Sequence, residues 1–255
     1  MTAVSPGAVD KLTPVTIAAV VGGAGVLAIS IWTLTASQSF GGWFATGALA
    51  TYAVAGVIVV ARIGAYHPYP RFGAANAVTL SRLILTSLFA GLAAETAVLD
   101  TAVAADTAWL FTGLAVFTLI LDGLDGWLAR RSGLASPFGA RFDMETDALL
   151  ILLLSVLALN LDKAGPWVLL GGLLRYIFVA AGWIWPALAQ PLLPSRRRQA
   201  ICGLQCGALT ALLSPMVMPP LSAFFASTAL GLLILSFGQD AYWALGNPVL
   251  RSSQR

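Results

Sequence analysis

Charge is what this sequence has least of. Asp, Glu, Lys and Arg make up only 10% of its 255 residues, against about 25% in soluble domains. Residues 12–61 carry none at all, and neither do residues 199–239. Each stretch is long enough for two membrane spans of about 20 residues with a turn between them. The turns are legible at Ala36–Gly42 and at Ser214–Pro220. Histidine and cysteine are nearly missing too. The only two cysteines, Cys202 and Cys206, share one face of an apolar helix, which suits buried thiols and not a disulfide. With His67 as the single histidine and no second cysteine pair, a zinc site is not expected. A cleaved signal is not expected. The apolar run from Pro14 to Leu34 exceeds the usual signal core of about 7–15 residues, and residues 35–46 after it hold no A-x-A triplet.

What is present reads as an all-α integral membrane protein. Eight spans are predicted, over 14–35, 43–62, 77–97, 107–131, 137–161, 165–187, 199–214 and 221–238. The loop from Arg62 to Ala75 divides a two-span N-terminal unit, residues 1–75, from a six-span body, residues 76–255. An even number of spans puts both termini on one side. That side then receives Lys11, Arg62, Arg71, Arg82, Arg130, Arg131, Arg141, Arg196, Arg197, Arg198, Arg251 and Arg255, and the other receives Lys163 alone. The positive-inside rule makes the basic side cytosolic, most simply in a cell inner membrane. The net charge of +3 is therefore a basic rim suited to anionic headgroups and phosphorylated substrates, not to nucleic acid.

The polar residues that interrupt this pattern are concentrated in Asp122-Gly-Leu-Asp125-Gly126-Trp-Leu-Ala129-Arg130 and Gly139-Ala-Arg-Phe-Asp143-Met-Glu-Thr-Asp147. At about 100° per helical residue, Asp122, Asp125, Gly126 and Ala129 share an arc of about 100°. Ser136-Pro137 reads as the cap and first position of the next helix. On that helix Gly139, Asp143 and Asp147 again share one face, while Glu145 points away. Two antiparallel helices can aim these faces at each other, so four carboxylates meet in a pocket walled by glycine and alanine. Such a cluster must protonate or bind cations. Oxygen ligands alone select Mg²⁺, Mn²⁺ or Ca²⁺, and paired hard cations are a recurrent means of holding a pyrophosphate. The plainer reading is a solvated helix end paired with Arg130, Arg131 and Arg141. It leaves unexplained why the acids converge with small residues at a membrane interface, where charge is costly.

The pattern D-x2-D-G-x2-A-R-x8-G-x3-D-x3-D resembles the signature of the CDP-alcohol phosphotransferase family, matched at Asp122, Asp125, Gly126, Ala129, Arg130, Gly139, Asp143 and Asp147. Asn76-Ala-Val-Thr79-Leu-Ser-Arg82 is similar to the N-x2-T-x2-R element that opens the family's first core helix. The resemblance covers residues 76–238 and implies a six-helix, usually dimeric core with a cytosolic active site. It also implies that Asp122, Asp125, Asp143 and Asp147 hold two Mg²⁺ or Mn²⁺ ions, with Asp147 as general base. Thr79, Arg82, Asp122, Gly126, Ala129, Arg130 and Gly139 would receive the cytidine nucleotide. The implied reaction joins an alcohol acceptor to the phosphoalkyl group of a CDP-linked donor, with CMP leaving. Ala148-Leu149-Leu150 follows the fourth aspartate where better-known branches carry Lys or Arg, so the resemblance leaves the acceptor open.

Arginines outside the signature bear on that acceptor. Arg175 falls within a predicted span, where charge defaults to function. Together with Arg141, Arg196, Arg197 and Arg198 it could bind a phosphorylated polyol, since arginine forks suit phosphate oxygens. Two other functions compete. An intramembrane prenyltransferase also binds Mg²⁺-diphosphate through aspartates, but with different motif spacing. A cation transporter would place its acids at mid-membrane, within broken helices or inverted repeats that this sequence lacks.

Overall fold

A computed structural model of the chain describes residues 6–67, 69, 71–99, 103–132, 136–185 and 195–246; the side chains of 6–11, 65, 125–132, 196 and 244–246 fall outside the description. Every regular element among the described residues is helical. The order is α1 (Pro6–Gln38), α2 (Gly42–Tyr66), α3 (Ala74–Leu99), α4 (Ala105–Ser132), α5 (Pro137–Asn160), a 3-10 turn (Pro166–Val168), α6 (Leu169–Ile184), α7 (Arg196–Leu213) and α8 (Leu221–Gly246).

All eight expected helices are there, but six are long and apolar enough to cross a membrane: α1, α2, α3, α4, α6 and α8. The two that fall short do so for a visible reason. Arg141, Asp143, Glu145 and Asp147 occupy the first three turns of α5, and α7 opens on three arginines and is only 18 residues long. Both lie inside the bundle, α5 against α3, α6 and α7, and α7 against α8, α5 and α4. Part of the charge that would be costly beside lipid is thereby met by protein, Asp143 and Asp147 by Arg82 and Arg197 by Asp240.

Helix α3 is the hub. It packs on α1, α2, α4 and α5 and buries most of its length, including Leu83, Phe89 and Leu92. The N-terminal pair is not detached from the six-helix body, since one continuous core runs from Leu12 and Phe44 through Phe111 and Leu154 to Ala226. The close approach of α2 to α3 requires Gly47, where a side chain would meet the Ala90 carbonyl at 2.8 Å. At the Gly41 end of α2 no side chain of its own caps the helix. Glu95, buried on α3, does so instead, accepting from the Gly41 and Phe44 N–H groups at 2.6 and 2.9 Å. A carboxylate at a helix N-terminus satisfies orphan donors and the helix dipole together.

Lys163, the lone basic residue assigned to the far side, is explained by its contacts. Its ammonium donates to the carbonyls of Ser214 and Val217 at 3.2 and 2.9 Å, while the Ser222 hydroxyl donates to the Lys163 carbonyl at 2.5 Å. It ties the α5–α6 connection to the α7–α8 connection, and burial pushes its pKa down. It is a structural clamp.

Candidate active site

The site grows from three helix segments at the basic end of the bundle. Helix α5 begins where the sequence says it should. Ser136 caps it, its hydroxyl accepting from the Gly139 N–H at 3.0 Å, and Pro137 takes the first turn. That start sets the rotation of the helix and so the direction of Asp143 and Asp147, one turn apart. Opposite them, Asp122 projects from α4. One oxygen from each of these three carboxylates lies within 4.8 Å of the others.

Between them lies the guanidinium of Arg82, from α3. Its Nη1 stands 3.0 Å from Asp122 Oδ1 and 2.5 Å from Asp143 Oδ1, and its Nη2 donates to Asp147. Arg82 is 1% exposed, whereas the carboxylates are 43%, 37% and 24% exposed. The cation closes the floor and the acids form an open mouth. The guanidinium of Arg82, expected at the nucleotide, lies among the aspartates, where one positive charge offsets part of three negative ones. Residual negative charge on a set of oxygen donors suits a hard divalent cation, so the residues present fit Mg²⁺ or Mn²⁺. Asp122, Asp143 and Asp147 would hold it.

The remaining expected residues divide. Asp125, Gly126, Ala129 and Arg130 lie in the last turns of α4, but their side chains are outside the described residues, as is that of Arg196. Thr79 is buried, with its hydroxyl donating to the Ala75 carbonyl at 3.1 Å. Gly139 packs against Asn76, whose Oδ1 would lie 2.9 Å from an added side chain. The open face of Gly139 is thus turned to protein here. Arg175 meets Glu145 at 2.5 Å, on the side of α5 away from the cluster. Arg197 and Arg198 reach Asp240 of α8 at 2.7 and 3.5 Å. Arg141 borders a groove between α2 and α5.

Three residues that the sequence reading gave no role stand at the site. His67 is fully buried, with Nδ1 2.8 Å from the Ser136 hydroxyl and Nε2 2.8 Å from the Arg71 carbonyl. Asn76 donates to the Phe72 carbonyl at 2.5 Å and closes the other flank of Gly139. Cys202, on α7, lies near enough to feel the charges of Asp122 and Asp143. Its pairing with Cys206 on one helix face was legible; that this face turns to the aspartates was not. Both thiols are free.

The comparisons with known proteins bear on this arrangement. No curated protein and no solved structure matches the chain. The sequence profile of the family described as CDP-alcohol phosphatidyltransferase matches residues 72–244, from the loop before α3 to the end of α8. That span takes in Arg82, Asp122, Asp143 and Asp147 and begins where the two-span unit ends. The chain belongs to the CDP-alcohol phosphatidyltransferase family.

Proposed function

We propose that this chain transfers a phosphatidyl group from a CDP-linked lipid to an alcohol acceptor in the membrane, releasing CMP. One observation supports this above all: carboxylates from α4 and α5 converge at an accessible mouth over a buried arginine. A divalent cation bound there would neutralise the donor's pyrophosphate and stabilise charge on the departing oxygen.

The chain's own groups supply the rest. Asp122 and Asp143 would hold that cation together with Asp147, with Asp125 as the fourth member of the set. Asp147 takes the proton of the acceptor hydroxyl as its oxygen attacks the lipid-bearing phosphorus. A new phosphorus–oxygen bond forms, the bond to CMP breaks, and CMP leaves with its electron pair. Arg82 holds the carboxylates of Asp143 and Asp147 in register, so the base is oriented before substrate arrives. The basic end faces the cytosol, in keeping with twelve basic residues against one. The family resemblance supports a homodimer.

For the acceptor we favour a phosphorylated polyol. Arg175, although it pairs with Glu145, is near enough for its charge to act at Cys202 beside those of Asp122 and Asp143, so it borders the cluster. Arg197 and Arg198 reach Asp240, and Arg141 borders the groove, so Arg175 is the arginine on which this reading rests. The deciding experiment incubates purified protein with CDP-diacylglycerol, Mn²⁺ and either glycerol phosphate, inositol phosphate or serine. CMP release with a phosphorylated acceptor is the expected result. Release with serine alone would remove the acceptor reading, and no release with any alcohol would remove the transferase reading.

A further inference from the structure

The groove beside Arg141 lies on the opposite side of α5 from the aspartates. Its volume is about 710 Å³, within the range of about 300–1,000 Å³ for small-molecule sites. One wall is a single stripe of α2, recurring every three or four residues from Ala50 through Val54 and Ile58 to Arg62. The other is the Phe142 and Leu149 face of α5. The walls are mainly apolar over about 18 Å, the rise of twelve helical residues. Only the basic end is charged. There Arg62 and Arg141 are both exposed, and Tyr66 and Tyr176 flank them. Glu145, the acid at that rim, is already paired with Arg175.

We propose that this groove binds one anionic phospholipid of the surrounding leaflet, separately from the catalytic mouth. Its phosphate sits between Arg62 and Arg141, and an acyl chain lies along the α2 stripe. The charge pattern selects this occupant. Two guanidinium groups that have no ion-pair partner among the described residues stand at the interface and attract a phosphate that carries a net negative charge. The depth below them is apolar apart from Thr51 and Thr146, of which the Thr146 hydroxyl already donates to the Phe142 carbonyl, and so suits hydrocarbon. A zwitterionic lipid would bring its own ammonium to the arginines and gain less. A second copy of this chain would have to present an acidic group at that height beside a mainly apolar helix face. The site depends on the added helix α2, which lies outside the family match.

The test measures lipid retention, so it is independent of whether the protein transfers anything. The full chain is reconstituted in nanodiscs of equimolar phosphatidylglycerol and phosphatidylcholine and extracted in mild detergent. Retained lipid is then quantified by mass spectrometry. The wild type should keep phosphatidylglycerol preferentially. Arg62→Gln should lower that preference about fivefold, the weight of one arginine at an anionic surface. Val54→Trp, which fills the groove, should lower retention of both lipids. Arg62 and Val54 are exposed, so neither change disturbs the core. Asp143→Asn should leave the preference intact, which separates this site from the catalytic mouth. Equal retention of the two lipids by the wild type overturns the proposal, as does unchanged retention in both groove variants. Efficient cross-linking of Ile58→Cys between copies also overturns it, by showing that protein covers the groove.

Discussion

The Nδ1 of His67 lies 2.8 Å from the hydroxyl of Ser136, and that same hydroxyl accepts from the Gly139 N–H. The loop after α2 is therefore tied to the first turn of the helix that carries Asp143 and Asp147. The tautomer follows from the partners. Nε2 faces a carbonyl and must donate; Nδ1 then accepts from the serine hydroxyl. The chain of bonds is complete only while the imidazole is neutral, and burial pushes the His67 pKa below its usual 6.5.

A pH dependence follows with a definite sign. The unfolded chain binds a proton more readily than the folded one, so stability rises with pH in this window. It is full above about 6.5, the ordinary histidine value, and is lost as pH falls through the lower folded value. Thermal unfolding in detergent should therefore show a declining midpoint below about pH 6.5, and His67→Gln should flatten that decline. A wild-type midpoint that rises on acidification would refute the assignment.

Asp122→Asn, Asp143→Asn and Asp147→Asn should each reduce CMP release by several powers of ten, as removal of a metal ligand or base does. Asp125→Asn belongs to the same expectation. Glu145→Gln should cost little, because it breaks only a solvent-screened ion pair with Arg175, worth under about 1 kcal/mol. Single-turnover assays on refolding-checked variants decide this.

Arg82 and a divalent cation offset the same negative charge, so each should partly replace the other. Arg82→Ala should unfold at a lower temperature than the wild type, because three carboxylates lose a common partner. Millimolar Mg²⁺ or Mn²⁺ should raise the midpoint of the variant more than that of the wild type. Equal shifts in both would mean that the cation binds elsewhere.

Cys202 is partly accessible and Cys206 is buried. N-ethylmaleimide should therefore modify Cys202 first and, by crowding the aspartates, block transfer. Cys202→Ser should remain active and resist the reagent. Mass mapping of the labelled protein beside the activity assay checks both halves.

Sidedness can be read with an impermeant maleimide on the Cys202→Ser, Cys206→Ser background. Arg71→Cys, at the basic end, should react only from the cytosol, and Asp106→Cys, at the start of α4, only from outside. Position 163 is a poor reporter, because its side chain is buried among the Ser214 and Val217 carbonyls.

Much of this was legible in the sequence because it is local. Charge-free runs announce helices, Ser136-Pro137 announces a start, and aspartates spaced by three or four residues announce a face. What escaped depends on partners far along the chain. Arg82 meets acids 40 to 65 positions away, and no periodicity shows that a basic residue matched by a nucleotide-binding motif will sit under them. The same limit hid Arg197 behind Asp240 and Arg175 behind Glu145. The charges on the first turns of α5 and α7 were also visible, but a single-helix window of hydropathy does not show which neighbours meet them.

Glu95 has a consequence for how such a chain could be shortened or lengthened. It is an acid buried toward the end of α3, and the groups that justify it, the N–H groups of Gly41 and Phe44, belong to the preceding hairpin. Cut away residues 1–66 and that carboxylate, near the end of α3, loses both of these donors, a cost of about 1–3 kcal/mol. Truncation and Glu95→Leu should each impair the protein, while the two combined should recover a folded six-helix body. The hairpin and the glutamate form one heritable unit: a lineage that gains or sheds the first must change the second.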